Sequence, residues 1–328
     1  MTEEPGRSAG ARGAGAAGAV GAAGAIVAAA NLRVDAAGAE LRAALGAAGV
    51  DHLLLRGRSF ARLLYDHDWE RAYSDTDLLV PEAACDRAFA VAEGLGYVRL
   101  DFEVIADGAM TFCRSADGAL ADVHWRLRHA KAPPDAVWSL LQRHRVPLEV
   151  GGHIASVLDA PASALLIALH AAHHGTERPG ALEDVRRATV RLPVATWADA
   201  RELAERARAA DAFAAGLRVT AEGSALADSL GLGSPMPPWL WLKTHDGDER
   251  AERLARLAAT PGRRDRAVLA ARLLVPPPHL MRTFVPLARR GRLGLAAAYV
   301  LRPAMLARRA PAALRDWGRA RSAARGRG

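Results

Sequence analysis

The chain has 328 residues, of which 51% are hydrophobic, so it is long enough to bury the core of one large domain or two ordinary ones. The formal net charge of +8 comes from the C-terminal end: residues 261–328 contain 16 Arg and two Asp, an excess of 14, which leaves the preceding 260 residues at −6. With only two cysteines, Cys85 and Cys113, the composition excludes a disulfide framework and favours the cytoplasm. The lack of a run of 18 strongly apolar residues predicts no membrane span.

The first 34 residues consist mostly of Ala and Gly. Such side chains bury too little apolar surface to offset the entropy lost when the backbone is ordered, so a disordered tail is predicted over residues 1–34. A leader peptide is the alternative, but Glu3 and Glu4 stand where its basic start would be.

Helical and strand-like patterns alternate after this tail. A helix is predicted over residues 36–51, with Gly49 as its C-cap. A strand in "HLLLRG" then ends at Gly57, and a helix in "RSFARLLYDHDW" precedes the strand "DTDLLV". The next helix is expected to start at Pro81, because proline is favoured in the first turn.

Three strand candidates come next, "YVRLDFEVI", "AMTFCRS" and "LADVHWRL", and from Pro161 onward the pattern is helical. The predicted fold class is therefore α+β, with a small mixed sheet and flanking helices over residues 35–155. A helical domain over residues 156–260 and an Arg-rich helical extension over residues 261–328 are expected to follow.

Asp75 and Asp77 stand two residues apart at the start of a predicted strand, so their side chains point to one face. Asp122 lies in a later strand candidate, again between apolar residues. Carboxylates in a half-buried sheet require a cation or solvent, so a metal site and a solvated strand end are the two interpretations. If a metal is bound, Asp77→Asn is expected to stabilise the metal-free fold by removing like-charge repulsion.

The order of these segments resembles the poorly characterised nucleotidyltransferase family of the polymerase-beta-like superfamily. The matching segments are "LLLRG", "RAYSDTDLLV" and "LADVHW", followed by "LLIALHAAHHG" and "LEDVRRA", and together they span roughly residues 40–190. The resemblance implies the nucleotidyltransferase fold, a nucleoside triphosphate as donor, and two Mg²⁺ ions, for which Mn²⁺ is a substitute.

The resemblance also implies roles for particular residues. Asp75, Asp77 and Asp122 would be the catalytic metal ligands, and Asp122 would activate the acceptor hydroxyl. Gly57 would let the backbone approach a nucleotide phosphate. Ser59 would bind nucleotide, although Arg58 stands where the superfamily has Gly or Ser directly after the glycine.

Arg71 precedes Asp75 by four residues. Its guanidinium is expected to bind a nucleotide phosphate or to orient Asp75. The alternative is a surface ion pair with Asp68 or Glu70.

Several histidines lie near these motifs. His170 and His174 share one face of a predicted helix, with His173 between them, but Ala171 stands where a zinc protease would have its glutamate. We expect a hydrogen-bonding framework with Asp184 that touches substrate, or plain packing. His124 shares the face of Asp122, so it either reaches the same site or bonds across the sheet.

The Arg-rich end mixes Arg with Leu, Tyr and Trp. This composition suits a helix that packs on the acidic body of the chain, binds nucleic acid or lies on an anionic membrane, and each of these partners is acidic. The sequence as a whole predicts a cytoplasmic, Mg²⁺-dependent nucleotidyltransferase that releases pyrophosphate. Its acceptor is a small molecule, a protein or RNA. The alternative is a non-catalytic nucleotide-binding or RNA-binding module on the same fold.

Overall fold

The structure is a computed structural model that describes residues 10–100, 108–233, 236–245, 247–260 and 262–325. Its described strands form one mixed sheet in the order β3-β4-β5-β2-β1-β7-β6. The pairs β2–β5 and β1–β7 are parallel and the other neighbours are antiparallel. The strands are β1 (Leu53–Leu54), β2 (Asp75–Leu79), β3 (Tyr97–Leu100), β4 (Ala109–Arg114), β5 (Ala119–His124), β6 (Arg145–Val150) and β7 (His153–Leu158).

Helices flank this sheet and form most of the rest of the described chain. They are α1 (Gly10–Ala47), α2 (Arg58–Leu64), α3 (Cys85–Gly94), α4 (Pro134–Gln142), α5 (Ala160–His174), α6 (Pro179–Arg191), α7 (Val194–Arg206), α8 (Ala210–Leu217), α9 (Ala221–Ser229), α10 (Pro238–Thr244), α11 (Glu249–Ala259), α12 (Arg263–Leu274), α13 (Pro278–Phe284) and α14 (Gly291–Arg325). This arrangement confirms the predicted α+β class. The sheet continues through β7 to Leu158, beyond the predicted boundary at residue 155.

The two faces of the sheet are buried in separate cores. Strand alternation sends neighbouring residues to opposite sides, so Leu79 packs with α5 and α7 while Leu78 packs with α1 and α3. Trp197 and Phe213 fill the first core, and Phe112 lies in the second. The first core therefore holds α5 across the face of the sheet on which Asp77 lies.

Both ends of α5 are defined by local chemistry. The helix begins after Asp159, whose carboxylate accepts a hydrogen bond from the Ala162 N–H at 3.1 Å. It ends at Gly175, whose φ of 57° is left-handed. A Cβ at Gly175 would lie 1.8 Å from the Lys243 carbonyl oxygen, so only glycine lets α10 pack this closely against the end of α5.

The N-terminal segment differs from the sequence prediction. Residues 10–34, expected to be disordered, lie in α1, while residues 1–9 fall outside the described ranges. The Asn31 side chain donates to the Arg71 carbonyl at 2.9 Å and accepts from the Tyr73 N–H at 3.2 Å. Tyr73 also donates its hydroxyl hydrogen to Asp35 at 3.0 Å. These bonds hold α1 against the segment before β2. They stabilise the helix by long-range contacts, which an argument from composition does not take into account.

The Arg-rich end is helical and packs against the preceding helices. In α14, Ala313, Ala320 and Trp317 lie in a small apolar cluster with residues of α10 and α11. Among the described helices, none combines the length and the apolar character that crossing a bilayer requires. Of the three roles expected for this segment, packing is the one that these contacts support.

Candidate functional site

Two of the three predicted carboxylates meet at the centre of the sheet. In the parallel register of β2 and β5, Asp77 lies opposite Asp122 and Leu79 lies opposite His124. Asp77, Asp122 and His124 each offer a ligand atom, and these atoms lie within 4.8 Å of one another. Asp75 shares the face of Asp77 but pairs in register with Leu120 and lies outside this group.

Arg56 is the central residue that the sequence analysis missed. Its Nε donates to Asp77 Oδ2 at 2.9 Å and its Nη2 donates to Asp77 Oδ1, so the guanidinium holds both carboxylate oxygens. Its Nη1 donates to Nδ1 of His170. A basic residue before Gly57, at the end of a strand that neighbours β2, was the available signal.

The two aspartates of the motif differ electrostatically. Burial alone would raise the pKa of Asp77, but Arg56 and the hydrogen bond from His124 outweigh burial and lower it. Burial and the nearby Asp77 carboxylate raise the pKa of Asp75 to about 6. The structure therefore reverses the expectation for Asp77→Asn, because the destabilised carboxylate is Asp75 and Asp77 is the paired one.

Arg71 has a partner that neither sequence interpretation named. Its Nε and Nη2 bond the two carboxylate oxygens of Asp184 at 2.9 and 2.8 Å, and Tyr65 donates to the same carboxylate at 2.9 Å. Glu70, one of the two expected surface partners, instead pairs with Arg187 at 3.0 Å. Arg71 and Asp184 thus link the segment before β2 to α6, a contact that supports a framework role for Asp184. A nucleotide contact by Arg71 stays a prediction.

Gly57 and Ser59 open α2 beside the carboxylates. Gly57 has a φ of 67°, and a Cβ there would lie 3.4 Å from the Tyr73 ring. This left-handed conformation is costly for other residues, which explains the glycine in physical terms. The Ser59 hydroxyl lies 3.3 Å from the Leu55 carbonyl, to which it donates. Nucleotide binding by either residue stays a prediction.

The histidines cluster at the C-terminal end of α5. The rings of His170 and His173 lie 4.5 and 4.7 Å from that of His174, and Arg128 Nη1 donates to His173 Nε2 at 3.1 Å. Burial, reinforced by nearby arginines, lowers the pKa of all three histidines, that of His174 to about 3. In the described part of the chain they do not form a metal-ligand group with other residues, so their contacts support a framework.

Comparison with known proteins bears on this site. Residues 21–223, which include every strand and the histidine cluster, match the family described as uncharacterised nucleotidyltransferase. No curated protein matches the chain. Among solved structures, the chain is similar to the antibiotic-resistance factor ANT(2'')-Ia in solution, with 19% identity over 51% of this chain and 88% of that chain, and a TM-score of 0.37.

Proposed function

Because the chain belongs to the uncharacterised nucleotidyltransferase family, we propose that it transfers a nucleoside monophosphate from a nucleoside triphosphate to an acceptor hydroxyl. The observation that carries this proposal is the parallel register that sets Asp77 beside Asp122, with Arg56 and His124 on the same carboxylate. In the reaction, the acceptor oxygen bonds to the α-phosphorus, the bond to the bridging oxygen breaks, and pyrophosphate leaves with the electron pair.

The donor set fits a divalent cation. The carboxylate oxygens of Asp77 and Asp122 are the hard ligands that Mg²⁺ and Mn²⁺ prefer, and the His124 nitrogen lies within reach of both. Asp75, on the same face, is proposed as a further ligand where two ions bind. When bound, such ions would neutralise charge on the phosphoryl oxygens and lower the barrier to displacement.

The remaining steps use side chains and backbone of this chain. Asp122 would accept the proton of the attacking hydroxyl, since it is only half-buried and the hydrogen bonds of Arg56 go to Asp77. Gly57 would allow the triphosphate to approach the backbone at the start of α2. Arg56 acts as a positioning residue that sets the orientation of Asp77 through two hydrogen bonds.

A non-catalytic nucleotide-binding module is the second candidate. One observation favours it: Arg56 engages both oxygens of Asp77, as in a structural ion pair. A transfer assay separates the two candidates, because a binding module would hold nucleotide without turnover.

The test of this proposal is to incubate the protein with Mg²⁺ or Mn²⁺, cell extract and nucleoside triphosphates labelled at the α- or the γ-phosphate, and to measure which fraction becomes labelled. Wild type is expected to move the α-label and not the γ-label to an acceptor fraction, and Asp77→Asn and Asp122→Asn are expected to abolish transfer. Asp199→Asn, an exposed change on α7, is the matched control. Transfer of the γ-label, or full activity of Asp77→Asn, would refute the proposal.

The surroundings of the reaction are also proposed. The acceptor is a small molecule, a protein or RNA, and the Arg-rich end is available for acidic partners. Cys85 and Cys113 are both free thiols, which supports a cytoplasmic location.

A further inference from the structure

The outer side of α14 exposes large apolar side chains to solvent. Of the seventeen large apolar side chains that are exposed in the described ranges, five lie on this helix, more than on any other described element: Leu293, Val300, Leu301, Met305 and Leu314. Leu293 is 87% exposed and Val300 is 78% exposed. A single exposed apolar residue needs no explanation, but a cluster of them marks an interaction surface.

Several of these residues belong to one continuous stripe. Six exposed residues follow one another at intervals of three, four or seven positions: Leu293, Val300, Ala304, Ala307, Pro311 and Leu314. With 3.6 residues per turn, these intervals place all six on one side of the helix, over a length of ~30 Å. None of the six is charged. We call this set the exposed stripe.

The opposite side of α14 is the side that packs. Ala298, Ala313 and Ala320 are buried against the preceding helices, and they lie about half a turn of the helix away from the exposed stripe. Arg302, on this same side, donates to the Leu273 carbonyl at 2.8 Å. Packing within the chain therefore uses one side of α14 and leaves the exposed stripe uncovered by the described residues.

Arginines border the exposed stripe on both sides. In projection along the helix, Arg308 and Arg315 lie about 60–80° from the centre of the stripe on one side, and Arg292 and Arg321 lie at similar angles on the other. All four are exposed, and none of them pairs with a carboxylate of the described residues. An apolar stripe between unpaired cations is typical of a helix that lies in the surface of an anionic membrane.

The chemistry of the exposed stripe favours lipid over other anionic partners. Nucleic acid is bound through phosphates and through stacking on aromatic rings, and the stripe has no aromatic residue. A second copy of the chain would bring the bordering arginines of the two copies together, which repels. A partner protein is recognised through large anchors that fill pockets, whereas half of the stripe is Ala or Pro.

We propose that α14 is a membrane-surface anchor and that its partner is a bilayer surface rich in anionic phospholipid. The helix lies parallel to the surface, the exposed stripe enters the headgroup region, and the bordering arginines bind lipid phosphates. Because few of the stripe residues are large, insertion alone is weak and the arginines supply much of the affinity. This proposal does not depend on the proposed transfer reaction.

The test measures cosedimentation of the full chain, without nucleotide, with two kinds of vesicle. One contains equal parts of phosphatidylcholine and phosphatidylglycerol, and the other contains phosphatidylcholine alone. Wild type is expected to bind the anionic vesicles at least about a hundredfold more tightly, because each basic residue near such a surface contributes about fivefold. Absence of binding, or equal affinity for both kinds of vesicle, would overturn the proposal.

A variant that keeps every charge tests the exposed stripe itself. Leu293→Gln with Val300→Gln should weaken binding to the anionic vesicles about tenfold or more, because both side chains lose their transfer into lipid. The matched control is Val190→Gln with Val194→Gln, since these valines are 82% and 62% exposed on α6 and α7. The control should bind like wild type, and equal affinity of the two variants would overturn the proposal.

A second pair of variants tests the bordering arginines. Arg308→Gln with Arg315→Gln should weaken binding about twentyfold, whereas Arg87→Gln with Arg206→Gln, an equal change of net charge on α3 and α7, should stay within about threefold of wild type. An equal loss in both would show attraction by net charge alone and would refute the proposed anchor.

Two further measurements complete the test. Circular dichroism verifies that each variant is folded, as expected for changes at exposed positions. Tighter binding to poly(U) RNA than to the anionic vesicles would assign the arginines to nucleic acid and overturn the proposal. Failure of the labelling assay with intact vesicle binding would refute the proposed function alone, so the two failures are distinguishable.

Discussion

The pKa values of Asp75 and Asp77 shift in opposite directions, and this difference leads to a specific prediction for Asp75→Asn. The pKa of Asp75 rises from an ordinary 3.8 to about 6, because burial and Asp77 disfavour its charged form. This difference corresponds to at most ~3 kcal/mol at a pH where both states would be ionised. The folded state holds a proton that the unfolded state has lost between pH 4 and 6, so this group costs stability increasingly as the pH rises.

Asp75→Asn removes that cost and should therefore stabilise the protein. We expect the free energy of unfolding to rise by up to ~3 kcal/mol at pH 8 but only ~1.5 kcal/mol at pH 5, where the native carboxyl is already largely protonated. Urea unfolding at both pH values with EDTA present measures the two gains, and Asp199→Asn serves as the exposed control. A gain that is zero, or the same at both pH values, would refute the electrostatic account of Asp75.

Three other changes test the framework around the site. Asp77→Asn should lower the free energy of unfolding by ~3 kcal/mol, because Arg56 is left buried without its carboxylate; an unchanged urea midpoint would contradict the ion pair. Asp184→Asn should destabilise by a similar ~3 kcal/mol through Arg71, and the apolar pair Arg71→Met with Asp184→Leu should recover most of the loss in a double-mutant cycle. Removing residues 291–328 should uncover apolar surface on α10 and α11 and so reduce solubility. The Mg²⁺–nucleotide affinity, measured by calorimetry, should stay within about twofold of wild type. Loss of that affinity would place α14 in the catalytic body.

The carboxylate motif could be predicted because strand geometry is periodic. Alternation places Asp75 and Asp77 on one face, and the order of the segments suggested that Asp122 would join them. Which carboxylate is paired could not be predicted, since that depends on Arg56, a single residue without periodicity. Arg71 was identified as important, but its partner Asp184 lies 113 residues away, beyond any local pattern.

Strands β6 and β7 were missed for a different reason. Pro147 interrupts the apolar alternation of β6, as is tolerated on a strand at the edge of a sheet. The signal was the dipeptide Gly151-Gly152, since both residues have positive φ and join the two strands as a hairpin. Without β7, the parallel partner of β1 could not be assigned.

The long-range pairing of Arg56 with His170 and of Arg71 with Asp184 has a consequence for folding during synthesis. These contacts span 114 and 113 residues, so His170 and Asp184 emerge from the ribosome ~6–23 s after the two arginines at ordinary rates of translation. Until then the Arg71 guanidinium lacks its carboxylate partner, and the face of the sheet that α5 covers remains open. The nascent chain thus exposes apolar strands for seconds, which makes it a substrate for chaperones until α6 has been synthesised.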